Sequence, residues 1–401
     1  MKSSSDPGAS VRSPQRIENS SKNANYSQRG GANHTGTSSH NRTKPNSTRK
    51  KVLIVAAYIL VGLFGLSIGG GLYALKIYNT IGHANTKFID SADAEENQPI
   101  DLNDLDAEQI TNGDTSSSWA EGGHTKVFVS EDFPIVKVKQ KDKNVENILV
   151  FGVDSRGSDD VKCRADAVMI VSLDGNTKSI KLISLMRDTS VTIKGRDTND
   201  KLTHSYAYGG VGLLINTINE NYGLDIQRFV MFDFNSSSNL IDLLGGIYID
   251  VQANEVKYAN QSIKEQNDLT GESVPFLTQA GVQTLSGAQA VAWARIRHAD
   301  SDFVRSSRQR AVATALVQKI AGQNELVQIS ILEDSAGMFE TNMTESDLIR
   351  IGSTGVKYSD NIIEYRIPDD GLFTIQQSPW MMVIDWEKQI PLLHEYIWGK
   401  E

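Results

Sequence analysis

Residues 167–186 read AVMIVSLDGNTKSIKLISLM, two aliphatic, β-branched runs around a polar centre, and this stretch decides the fold. Residues 167–173 and 178–186 favour strands, and Asp174-Gly175-Asn176-Thr177 between them carries turn chemistry. The pattern predicts a hairpin. With Gly175 and Asn176 as a two-residue loop, Asp174 pairs with Thr177, Asp166 with Leu185, and Arg164 with Arg187. Two arginines directly opposite one another repel, so this register calls for Asp166 or a bound anion between them. Just upstream, residues 147–153 (NILVFGV) are almost wholly apolar, as in a buried strand, and end on Asp154-Ser155-Arg156-Gly157.

Working outward, residues 126–129 and 135–138 read as strands, and a helix is expected over 210–222 with Leu213, Leu214, Ile218 and Tyr222 inward. Residues 229–234 form a strand. Ser236 or Ser237 then caps a short helix that stops at Gly245-Gly246. A strand over 247–251 precedes a polar stretch, 252–280, read as an irregular surface insertion. Ser286 caps GAQAVAWA, and Thr344 with Asp347 forms a capping box. Late strands at 362–367 and 381–384 lead to a closing helix over 386–398. Strands and helices alternate without a strict β-α-β period and without an internal repeat. The expected class is therefore mixed α/β (α+β), a central mixed sheet flanked by helices.

The remainder of the 401 residues divides by composition. Residues 1–51 hold ten Lys and Arg against two acids, a net of +8, so the overall charge of −9 leaves −17 on residues 52–401. The tail is Ser-, Asn- and Gly-rich with few aliphatics and is expected to be disordered. Residues 52–75 (VLIVAAYILVGLFGLSIGGGLYAL) carry no charge and are long enough to span a bilayer. Arg49, Lys50 and Lys51 on the N-terminal flank predict a cytoplasmic tail and an external domain. Residues 76–125, acidic and polar, read as a spacer, which leaves 126–401 as the folded domain. An acidic domain excludes a general nucleic-acid binder. Cys163 is the single cysteine, so no intramolecular disulfide and no thiolate metal site can form.

Residues 295–310 (RIRHADSDFVRSSRQR) place five arginines between two helix signals. Arg305 and Gln309 fall on the helix face that also carries Val312, Leu316 and Ile320, and Asp302 lies close by. Charge on an inward face needs a partner. Arginine's planar fork pairs bidentately with phosphate, so the stretch predicts an anion site. Asp154 and Asp166 sit at strand ends flanking one loop, and carboxylates without a histidine or cysteine cluster suit magnesium, with manganese as the alternative. Each could equally pair with Arg156 or Arg164. With Arg187, Arg295, Arg297 and Arg305 the set has the makings of a phosphoryl-transfer site. No nucleotide-triphosphate loop and no G-x-S-x-G elbow occurs. His204 and His298 are candidate acid–base groups, with ordinary hydrogen-bonded histidines the better reading.

The runs NILVFGVDSRG, CRADAVMIVSLD, ISLMRDTSV, KLTHSYAYGG, FDFNSSSNLIDLLGGIYIDV and TLSGAQAVAWARIRHADSDFVRSSRQR, in this order over about residues 145–322, resemble the LytR–CpsA–Psr family. The resemblance implies a membrane-anchored enzyme that moves an anionic glycopolymer, teichoic acid or capsule, from a polyprenyl-pyrophosphate carrier to a peptidoglycan sugar hydroxyl. It implies metal-associated Asp154 and Asp166. Pyrophosphate contacts are implied for Arg164, Arg187, Arg295, Arg297 and Arg305, and Lys201, Asp302 and Gln309 match further positions of the pattern. Met186 and Val304 depart from it, where the family often has Pro and Gly. A pyrophosphatase and a membrane-anchored regulatory protein are the alternative functions.

Overall fold

A computed structural model describes residues 82–83, 86–90, 102–103, 133–153, 164–296, 301–335 and 337–400. Three short strands come first: β1 (Gly82–His83), β2 (Phe88–Ile89) and β3 (Ile135–Val136). The apolar run becomes β4 (Val145–Val153), and the hairpin becomes β5 (Ala165–Asp174) and β6 (Ser179–Leu185). Short strands β7 (Ser190–Val191) and β8 (Asp200–Lys201) lead into helix α1 (Leu202–Tyr222). Next come β9 (Arg228–Asp233), α2 (Phe234–Leu243), β10 (Ile247–Val251), α3 (Val256–Thr270), β11 (Gly281–Leu285) and α4 (Gly287–Ala294). The C-terminal part holds α5 (Asp302–Ala321), α6 (Glu325–Ser335), β12 (Glu340–Thr341), α7 (Glu345–Tyr358) and β13 (Ile362–Ile367). It closes with β14 (Phe373–Gln377), β15 (Trp380–Ile384) and α8 (Trp386–Trp398).

The central sheet has seven strands in the order β1-β12-β9-β4-β5-β6-β13. It is mixed, as expected: β4 and β6 run antiparallel to β5, while β9 pairs parallel with β4 and β13 with β6. The hairpin register differs from the expected one. Asp174 pairs with Ser179 and Val168 with Leu185, so the loop holds four residues, not two. Asp174 causes this. Its carboxylate accepts from the Asn176 and Thr177 amides at 2.8 and 3.2 Å and from the Thr177 hydroxyl at 2.6 Å. Lys178, at φ 52°, completes the wider turn. The two-residue shift preserves which side chains face which side of the sheet. Extended past the ladder, it places Arg187 opposite Asp166 and not opposite Arg164.

Alternate residues of β4, β5 and β6 feed two cores. Leu149, Phe151, Val168, Ile170, Ile183 and Leu185 pack with α1 and α8 on one face. Ile148, Met169, Leu173, Ile180 and Leu182 pack against Ala313 and Val317 of α5 and Ile351 and Tyr358 of α7 on the other. A third core joins α2, α3, α4 and the β10–β11 pair to α5. Leu213, Leu214, Ile218 and Tyr222 are all buried, as the helical spacing predicts, yet α1 begins earlier than expected, at Leu202. Gly209 and Gly210 interrupt its φ/ψ without ending it. Gly212 is required by contact: a Cβ there would stand 1.8 Å from the Phe133 carbonyl oxygen.

Two further expectations change. The polar stretch after β10 contains the helix α3, whose Ala259 and Ile263 reach the third core while its other faces stay wet. A narrow apolar stripe in a polar sequence is easily read as a loop. Asp233, not Ser236 or Ser237, caps α2 by accepting from the Ser236 amide at 2.6 Å. Parts of the expected spacer are bound to the domain. β1 pairs with β12, β2 pairs with β3, and the Leu102 amide donates to the Gly195 carbonyl at 2.8 Å. The expected strand at 126–129, the run 52–75 and the basic tail lie outside the described residues. Among the described residues no helix is long and apolar enough to cross a membrane.

Candidate active site

Where the β5–β6 ladder runs out, Arg187 reaches back to Asp166, with Nη1 at 2.9 Å from Oδ1. The pair is the direct product of the observed register. Its Nε lies 3.2 Å from Asp188 Oδ2 and 3.4 Å from Asp302 Oδ2. Asp302 stands in the first turn of α5, where a negative charge favours the helix dipole. One turn on, Arg305 grips the same carboxylate, Nη1 to Oδ1 at 3.1 Å and Nη2 to Oδ2 at 3.2 Å. Lys201 closes the ring from β8, with Nζ 3.3 Å from Asp188 Oδ1.

Backbone bonds fix these groups in place. The Thr203 amide donates to the Arg187 carbonyl at 3.0 Å, and the Leu202 amide to the Thr189 carbonyl at 2.9 Å. The Thr203 hydroxyl donates to the Ala165 carbonyl at 2.9 Å, tying the start of α1 to the start of β5. From the other side, the Met382 amide of β15 donates to the Asp188 carbonyl at 2.9 Å.

Three cations thus interleave with three carboxylates in a largely buried cluster. Burial alone would lower the pKa of Arg187. Asp166, Asp188 and Asp302 outweigh it and raise the pKa above the usual arginine value. The guanidinium therefore stays charged at any working pH, and an arriving phosphate meets a permanent cation.

Five predicted residues meet here: Asp166, Arg187, Lys201, Asp302 and Arg305. Arg164 stands half-buried one residue before β5, Arg295 is exposed at the C-terminal cap of α4, and Gln309 is half-buried one turn beyond Arg305. Asp154, Arg297 and His298 lie outside the described residues. The expected opposition of Arg164 and Arg187 is not formed, because the wider turn gives Arg187 to Asp166. Asp188 is the residue that sequence reasoning missed. Its signal was its place beside Arg187 in the run ISLMRDTSV.

His204 is a buried, hydrogen-bonded histidine. Its Nδ1 lies 2.8 Å from Asp200 Oδ1 in a buried knot where the Tyr208 hydroxyl donates to Asp200 Oδ2 at 2.6 Å. Burial pushes the Asp200 carboxyl up, but His204, Tyr208 and the Lys201 amide pull it further down, to about 2. Two arginines of the rich stretch hold the scaffold. Arg308 donates to Glu255, which also accepts from the Trp293 indole, and Arg310 spans Glu364 and Ser184.

Asp166 offers the hard oxygen donor that magnesium takes, and magnesium characteristically keeps water and phosphate as its other ligands. Among the described residues no three acidic, histidine or cysteine side chains converge on a metal position. Asp166 is the predicted metal-binding aspartate that lies among the described residues.

Residues 110–388 match the LytR_cpsA_psr family. The chain is 26% identical over 327 residues to a polyisoprenyl-teichoic acid–peptidoglycan teichoic acid transferase, TagU, of Bacillus mycoides (strain KBAB4), covering 80% of this chain and 89% of that one. It is 30% identical over 251 residues to the TagT transferase of Bacillus subtilis (strain 168), covering 58% of this chain and 75% of the relative. Among solved structures it resembles TagT bound to LIIa-WTA, with a TM-score of 0.53 and 25% identity, covering 65% of this chain and 93% of that one.

Proposed function

The chain belongs to the LytR_cpsA_psr family, and from that premise we propose that it moves an anionic glycopolymer of the teichoic acid type from a polyprenyl-pyrophosphate carrier to a peptidoglycan sugar hydroxyl. Relatives named as teichoic acid transferases support the reading. The observation that carries it is the convergence of Arg187, Lys201 and Arg305, from three separate elements, on one set of carboxylates. Each of these cations can turn from its carboxylate to a phosphate oxygen.

In this reading Arg187, Lys201 and Arg305 take the pyrophosphate, and Arg164, Arg295, Arg297 and Gln309 complete its contacts. The acceptor hydroxyl oxygen bonds to the phosphorus that bears the polymer. Its proton passes to an aspartate of the cluster. The bridging P–O bond breaks and polyprenyl phosphate departs with the electron pair. Magnesium, held by Asp166 and Asp154, would supply further charge neutralisation on the phosphates. Residues 52–75 would anchor the chain with its N-terminus cytoplasmic and the domain outside, beside a carrier that is itself in the membrane.

The test is a transfer assay with polyprenyl-pyrophosphate-linked polymer, a peptidoglycan fragment and magnesium. Arg187→Ala should cut transfer by roughly 100-fold or more, the scale of losing one charge-stabilising donor. Release of polymer phosphate into solution by the wild-type chain, with none on peptidoglycan, would replace the transferase with a pyrophosphatase.

A further inference from the structure

The hairpin of β14 and β15 touches both halves of the charged cluster. Met382 donates its amide to the Asp188 carbonyl and bridges to Thr189. Phe373 packs edge-on against Phe303, the residue after Asp302, with ring centroids 5.4 Å apart. Arg366 also lies over the Phe303 ring, its Cζ 4.0 Å from the centroid. The hairpin is thus clamped to the Arg187 loop and to the N-terminus of α5 at once.

Phe373 pairs with Ile384, Ile375 with Met382, and Gln377 with Trp380, so these six share one face. Ile384 and Met382 are buried, but towards the tip the face emerges, and Trp380 is 41% exposed. Trp380 stands two residues from Met382, about 7 Å along the strand. Ile375, diagonal to it, is also exposed, as is the Gln377 amide across the ladder. A broad indole and an amide are therefore carried on the hairpin whose Met382 amide meets the Asp188 carbonyl.

We propose that Trp380, flanked by Gln377 and Ile375, is a stacking platform for a pyranose ring of the glycan that reacts at the Arg187 cluster. The inference rests on the function proposed above and adds the sugar subsite to it. A pyranose presents a flat C–H face to an aromatic ring and hydroxyls or an acetamido group to a neighbouring amide, and tryptophan supplies a large rigid surface for it. The polyprenyl chain calls for a concave, enclosed apolar groove instead, which an outward-facing strand tip does not offer.

The experiment compares the full chain with Trp380→Ala and Trp380→Phe in calorimetric titrations with an N-acetylglucosamine tetramer, a polyprenyl-pyrophosphate-linked disaccharide, sugar-free polyprenyl phosphate and inorganic pyrophosphate. Trp380→Ala should weaken one of the two saccharides about tenfold. Trp380→Phe should stay within about threefold, and both should bind inorganic pyrophosphate and polyprenyl phosphate as the wild type does. Loss of the tetramer assigns the ring to the acceptor, and loss of the linked disaccharide to the donor. Unchanged saccharide binding in Trp380→Ala, no saccharide binding by the wild type, or a loss confined to polyprenyl phosphate would overturn the proposal. Failure of the transferase reading is a separate result, read in the transfer assay as polymer phosphate released with none on peptidoglycan.

Discussion

Arg187 is the hinge of the charge balance, because Asp166, Asp188 and Asp302 all lie within 3.4 Å of its guanidinium. Removing it leaves three carboxylates facing one another. Arg187→Ala should therefore destabilise the empty protein by about 2 kcal/mol, less than the 3–5 kcal/mol of a fully buried broken pair because the arginine keeps some solvent contact. Urea unfolding measures it, and an unchanged midpoint would mean that solvent alone holds these charges apart. The two-residue loop implied the reverse, an arginine strained by Arg164, so the register decides the sign. Asp200 makes a second, pH-dependent case. Its folded pKa of about 2 lies below the ordinary carboxylate value, so its stabilising contribution is full above about pH 4 and fades as pH falls towards 2. Asp200→Asn should lower the melting temperature at pH 7 and flatten its fall between pH 4 and 2. A parallel downward shift across that whole window would contradict this assignment.

The elements show what the residue pattern could and could not convey. Continuous apolar runs in residues 147–186 sufficed for three central strands, because burial on both faces demands them. The loop length did not follow, since Asp174 serves the turn through side-chain bonds that a dipeptide rule does not weigh. In α5 three arginines, Arg305, Arg308 and Arg310, split by helical phase and by remote partners. Arg305 faces Asp302 three residues away, but Arg308 and Arg310 find Glu255 and Glu364 more than fifty residues distant. Lys181 ties the last helix down in the same long-range way. Buried in β6, it donates to the Tyr396 and Ile397 carbonyls at the end of α8, both at 2.8 Å, and pairs with Asp174 at 2.7 Å. Burial raises the Asp174 carboxyl, yet Lys181 and the turn bonds leave it lowered overall. Lys181→Met should cost about 3–5 kcal/mol by stranding Asp174, and the Lys181→Met/Asp174→Asn pair should recover part of it. A double-mutant cycle with no coupling would show that the helix end needs no such tie.

At the scale of the whole molecule, the site is assembled from β5, the Arg187–Asp188 loop, β8 and the start of α5, which meet at the end of the β5–β6 ladder. Asp166, Arg187, Asp302 and Arg305 were legible because phosphate chemistry restricts residue type, and Lys201 through its match to the family pattern. Asp188 was not, since beside Arg187 it reads as a local ion pair, and only the β7–β8 pairing brings Lys201 to it. The central claim is that this cluster receives a pyrophosphate, and calorimetric titration of a short-chain polyprenyl pyrophosphate tests it most directly. A ligand at a hundredfold excess over its dissociation constant also stabilises the fold by about 2.7 kcal/mol, so melting temperature gives an independent reading. Arg187→Ala should bind at least about 30-fold more weakly, near 2 kcal/mol, and lose most of the ligand-induced rise, with Arg187→Lys recovering only part because a point charge cannot pair bidentately. Wild-type affinity and an undiminished rise in Arg187→Ala would contradict the central claim.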